Sequence, residues 1–127
     1  MAELTNIAKY VFLLHFIVCV VLGAFWFILP EYWSTVSGWP VEYAAGRIVG
    51  MATLVMSVGS LLAYMKTTWE EVEIYVIMEL VFNILGAVAM FWNMLTVAIP
   101  VLVGWAIIGL LGVFSVLFLY VFFTIRG

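Results

Sequence analysis

Apolar positions fill this chain in four long runs, roughly 7–29, 41–65, 71–92 and 97–124, separated by short polar or aromatic stretches. A bilayer core about 30 Å thick takes roughly 20 apolar residues per helix, so each run is long enough to cross with some tilt. The first connection, residues 30–40, is bracketed by Pro30 and Pro40 and carries Tyr32, Trp33 and Trp39. Such aromatic residues suit the headgroup level, and the stretch reads as an interfacial loop with room for one helical turn. The second connection, Lys66-Thr67-Thr68, leads into Glu70, Glu71 and Glu73. Thr68 and Glu71 have capping-box spacing, and an acidic first turn suits the positive end of a helix dipole, so these glutamates mark a helix start rather than a cation-attracting vestibule. Asn93-Met94-Leu95-Thr96 reads as a short turn, after which Pro100 falls in the first turn of the fourth helix, where its missing donor costs least. Short connections make sequential helices antiparallel neighbours, so the pattern predicts an all-α, up-down four-helix bundle, a single transmembrane domain over residues 1–127.

Composition narrows this further. Of 127 residues, 69% are hydrophobic and 9% charged, against about 45–50% and about 25% in a soluble domain, which leaves no room for a separate soluble domain. The first run exceeds the roughly 7–15-residue core of a signal peptide, so a retained first helix is expected. Lys9, Lys66 and Arg126 fall on one side of the four spans, which by the positive-inside rule puts both termini in the cytoplasm of a cell (inner) membrane. The net charge of -3 includes no basic cluster that could neutralise a row of phosphates, so nucleic acid is not an expected partner. Cys19, the single cysteine, lies inside the first run and reads as a small buried apolar residue.

Polar residues within the spans are the candidates for chemistry. With a rise of 1.5 Å per residue, Arg47 lies about 9 Å below the outer face on the second span, His15 and Glu79 each lie about 12 Å from the cytoplasmic face, Thr53 comes to a similar depth, and Asn83 lies about 18 Å in. A carboxylate at the depth of Glu79 costs about 2.5–3.5 kcal/mol or more unless it is paired, hydrogen-bonded or protonated. His15, Cys19 and Gly23 share one helix face, as do Glu79, Asn83 and Ala87. Two placements are open to Arg47: outward to the headgroups near Tyr43 and Trp39 as an anchor, or inward to Glu79, across an axial gap of roughly 9 Å that needs two long side chains or a water. Gly46, Gly50, Thr53, Ser57 and Ser60 form a small-residue stripe on the second span, and the Gly46/Gly50 spacing, with Ser57 beyond it, points to close helix packing.

A lone histidine cannot supply two axial haem ligands, and His15, Cys19 and Glu79 make a ligand-poor metal set. No metal or other cofactor is expected. There is no glycine-rich phosphate loop and no nucleophile with a nearby base, so the residues favour a non-enzymatic role. Six tryptophans, six tyrosines and ten phenylalanines offer flat surface for a lipid, quinone or isoprenoid, and equally for ordinary membrane anchoring.

The second span, Arg47-Ile48-Val49-Gly50 followed by Leu54 and Gly59 and preceded by an aromatic, proline-bearing loop, resembles small prokaryotic four-helix membrane proteins of the DoxX-like kind over about half the chain. That resemblance implies a four-helix membrane bundle working with quinones or redox partners, without a catalytic set to carry over. The expectation is therefore a small integral membrane protein that binds a hydrophobic ligand, or an accessory subunit of a membrane complex, with lipid, a hydrophobic small molecule, a second copy or a complex subunit as partner. The alternative is an oligomeric channel or transporter for protons or small ions lined by Glu79, His15 and Arg47. The candidate polar network comprises His15, Arg47, Thr53, Glu79 and Asn83.

Overall fold

A computed structural model describes residues 2–40 and 42–125. Val41, where the second span was expected to begin, and Arg126, part of the charge asymmetry, lie outside the described residues. The described chain forms five helices: α1 (Asn6–Ile28), α2 (Pro30–Ser37), α3 (Tyr43–Tyr64), α4 (Glu73–Thr96) and α5 (Val101–Ile125), with a 3-10 turn over Trp69–Glu71. All but α2 are long and apolar enough to cross a membrane. The chain is an all-α, multi-pass membrane protein.

The helix ends follow from a few residues. Thr5 caps α1, its hydroxyl accepting the Ala8 N–H at 3.2 Å. Pro30 then cannot continue the helix, because it lacks a donor, and it opens α2 instead. Gly38, at φ 72°, closes α2 in the left-handed conformation, its N–H bonded to the Ser34 carbonyl. The expected loop over 30–40 is thus an eight-residue helix. Its signal, proline at the first position and glycine just past the last, was in the sequence.

Two boundaries also move. Thr68 and Glu71 do close a capping box, but on the 3-10 turn, so α4 starts at Glu73 rather than 71. At its far end α4 runs through Asn93–Thr96, where a turn was expected. None of those residues breaks a helix, and the chain becomes extended only at Val97. Pro100 sits just before α5, its carbonyl accepting the Gly104 N–H at 2.9 Å, one position outside the expected first turn.

α1 packs along α3, and α4 along α5. Both pairs are antiparallel: Gly23 meets Gly50 near one end of the first pair while Leu4 N–H reaches the Thr67 carbonyl at the other, and Gly104 meets Met94 while Gly86 meets Leu111 in the second. Between α1 and α3, Gly23 and Gly50 come so close that a Cβ on either would fall 3.1 or 3.0 Å from the other's carbonyl oxygen. A Cβ on Gly50 would fall 2.6 Å from the Phe27 backbone nitrogen, whereas one on Gly46 would find only the Trp26 carbonyl at 3.9 Å. Close packing therefore uses one glycine from each helix, with Ser57 buried further along α3, and Gly46 is not part of the tight contact expected for it.

At the end that carries both termini the hairpins close on each other. Residues 2–5 lie against 67–69, through Leu4 N–H to Thr67 O and Trp69 N–H to Ala2 O, both 2.8 Å. Phe12, Val72, Val76, Phe118 and Val121 are buried there, and Trp69 meets the Phe122 ring edge-on.

Candidate functional site

A chain of buried polar side chains crosses the bundle just past this core. α1 carries His15 on the same face as Phe12 and Cys19. The imidazole is held edge-on by Phe114 and Phe118 of α5, with ring centroids 4.6 and 5.1 Å away. Its Nε2 lies 3.1 Å from Glu79 Oε2, and its Nδ1 lies 2.7 Å from Ser60 Oγ. Ser60 is hydrogen-bonded in turn to the Tyr75 hydroxyl, which reaches the Met56 carbonyl at 3.3 Å. Asn83 Nδ2 donates to the Glu79 carbonyl at 2.7 Å and to Oε2 at 3.1 Å. Glu79 is wholly buried. The Tyr75 hydroxyl interacts with its carboxyl, is hydrogen-bonded to Ser60 and Met56 and lies 3.5 Å from His15 Nδ1, and Oε1 has no hydrogen-bond partner among the described residues.

Counting donors sets the proton positions. With Tyr75 donating to Met56, Ser60 must donate to Tyr75, and His15 Nδ1–H must then donate to Ser60. The remaining proton lies between Nε2 and Oε2, either on an imidazolium facing a carboxylate or on a neutral carboxyl facing a neutral imidazole. Both arrangements leave the pair with no net charge, which is what a membrane interior favours.

Beyond this layer, away from the termini, the two hairpins part around a cavity of about 530 Å³. His15, Cys19 and Asn83 are at its deep end, Leu22, Val49 and Leu111 are on its walls, and Trp26, Trp33 and Trp39 lie toward the connections. Thr53 lines it too, but its hydroxyl is spent on the Val49 carbonyl at 2.8 Å.

Of the expected polar residues, the structure brings His15, Glu79 and Asn83 together and separates the other two from that cluster. Arg47 is exposed, its guanidinium 5.6 Å from the centre of the Tyr43 ring. It borders a small surface pocket with Glu31 and Tyr32, and the Tyr43 hydroxyl donates to Glu31 at 2.7 Å. The partner of Glu79 is His15, so the inward placement of Arg47 is overturned. Thr53 misses the His15 layer because the Gly23–Gly50 contact sets the register. Equal steps from that contact lead back along α1 to His15 and forward along α3 to Val58, beside Ser57 and Ser60. Tyr75 was not anticipated as a site residue, although Tyr75, Glu79 and Asn83 recur every fourth residue and share a face.

At the terminal end, outside the spans, the Thr67 and Thr68 backbone N–H groups hold the Glu71 carboxyl below the usual glutamate range, with Lys66 adding to the effect. Comparison with protein-family models, curated proteins and solved structures finds no match for this chain.

Proposed function

We propose that this protein is a non-enzymatic membrane protein that binds a hydrophobic small molecule, a lipid, quinone or isoprenoid, in the cavity between its two helical hairpins. The cavity carries this reading. Its volume of about 530 Å³ falls within the roughly 300–1,000 Å³ of small-molecule sites, and apolar walls with a few converging polar groups are the usual make-up of such sites. Phe114 and Phe118 pack against His15 at the deep end, with Phe12 behind Phe118, an arrangement that favours holding a ligand over passing an ion. In this reading the protein sits in the cell inner membrane with both termini cytoplasmic, in keeping with Lys9 and Lys66 at the terminal end and the positive-inside rule.

Native mass spectrometry of protein gently solubilised from its membrane tests the proposal. The expected result is a retained hydrophobic species that disappears in Leu22→Trp, where the larger ring occupies the cavity, while the thermal midpoint is kept. Ligand-free wild-type protein, or retention unaffected by Leu22→Trp, would overturn it.

A further inference from the structure

The deep end of the cavity has a definite hydrogen-bonding polarity. Asn83 is 1% exposed, and its amide nitrogen faces the Glu79 backbone carbonyl at 2.7 Å and Glu79 Oε2 at 3.1 Å. A backbone carbonyl can only accept, so the atom facing it must be the NH₂ group; a flipped amide would set oxygen against oxygen. Both amide hydrogens are thereby spent. The Asn83 side-chain oxygen has no hydrogen-bond partner among the described residues, and unlike Glu79 Oε1 it is not wholly occluded. Since Asn83 lines the cavity, this oxygen is the acceptor left open to it. The neighbouring polar groups add no free donor: the His15 ring nitrogens are engaged by Ser60 and Glu79, the Cys19 thiol is turned to His15 Nε2 at 3.4 Å, and Thr53 donates to Val49.

We infer that the cavity takes an amphiphile whose polar end is a hydroxyl, donating to the Asn83 side-chain carbonyl at the deep end, with its apolar tail running toward Trp26 and Trp33. This rests on the ligand-binding reading above and narrows it. From Asn83 to Asn93, where α4 leaves the cavity, is roughly 15 Å along the helix, which is room for a medium-length alkyl or isoprenoid tail. A long-chain alcohol, an isoprenoid alcohol or a hydroquinone satisfies the open acceptor. An ether, ester or quinone carbonyl would meet it lone pair to lone pair and leave a buried polar group unpaired, the situation sites discriminate against most strongly.

The test is a competition between dodecanol and dodecyl methyl ether for full-length protein in lipid nanodiscs, read as the two adduct masses in one native spectrum. The ether is the more apolar, so partitioning alone favours it. The expected result is an alcohol adduct about tenfold more abundant than the ether adduct, falling to parity or below in Asn83→Leu while the ether adduct persists. The wild-type competition, repeated with a methyl ketone of matched length, reads the same preference without relying on any variant to fold. Equal adducts, or a preference for ether or ketone, would overturn the hydroxyl inference and leave ligand binding standing. No adduct from any probe, or adducts unchanged in Leu22→Trp, would overturn the ligand-binding reading and this inference with it.

Discussion

The terminal half of the bundle and the half beyond His15 are both apolar, yet one is closed and the other is open. In the terminal half, large rings meet across the hairpins: Phe12 lies 6.1 Å from both Tyr75 and Phe118, and residues 2–5 tie the start of α1 to 67–69. In the other half α1 and α3 are held together by glycine contact at Gly23 and Gly50. There Pro30, Pro40 and residues 97–99 border the cavity at the connections, where Gly38 comes near Pro100, and the hairpins stand apart around the cavity beneath. Apolar composition thus does not decide whether membrane helices close; lipid is as apolar as the side chains, so shape decides. The His15–Glu79 pair lies at the seam, where the last filled layer meets the cavity.

The largest effect is expected at that seam. His15→Leu leaves Glu79 buried without its partner and should destabilise by about 3–5 kcal/mol, whereas pairing it with Glu79→Leu should recover most of the loss. Denaturation of the single and double variants in bicelles checks this, and additive losses would show that the two halves are not joined through the pair. Next is a matched truncation on either side. Phe118→Ala should cost about 3 kcal/mol, toward the low end for such changes because the unfolded side chain stays in lipid. Ile107→Ala, on the cavity wall, should cost about 1 kcal/mol or less because it leaves an already open space. Equal costs would erase the distinction between the halves.

Arg47→Leu should change stability by no more than about 0.5 kcal/mol, as for other exposed positions. In a cycle with Glu79→Gln the two effects should add within about 0.5 kcal/mol, and coupling beyond that would bring Arg47 back into the polar layer. The smallest effect concerns the terminal end. Glu71 titrates below its ordinary value of 4.5 in the folded state, so its capping contribution is full above that pH and is lost as pH falls through the lowered folded value. Glu71→Gln should therefore lower the plateau above neutrality slightly and flatten the acid limb of a stability-pH profile, the two proteins converging at low pH.

How far the site could be read from residues alone differs from one to the next. Glu79 stood out because an isolated carboxylate that deep demands a partner, and His15 was placed at the same level by counting residues from the helix start. Ser60 and Tyr75 were harder to find, since serine and tyrosine are unremarkable in membrane helices and only their position across from His15 gives them a role. Arg47 was ambiguous for a related reason: its depth permitted either direction, and whether it turns outward depends on Tyr43 beneath it and on Glu79 being already engaged. The α2 helix was legible through Pro30 and Gly38 and was obscured by the interfacial character of the aromatic residues between them.

Hydropathy along the chain suffices for the number of spans, the all-α class and the antiparallel order, because in a bilayer each apolar segment must satisfy its own backbone hydrogen bonds as a helix. Helix register, the choice of His15 as partner for Glu79, and the cavity depend on how four separate faces fit together. The Gly23–Gly50 approach sets the first of these and so selects Ser60 over Thr53. No single segment encodes that fit, since each contact requires the volumes of residues brought together from distant parts of the chain.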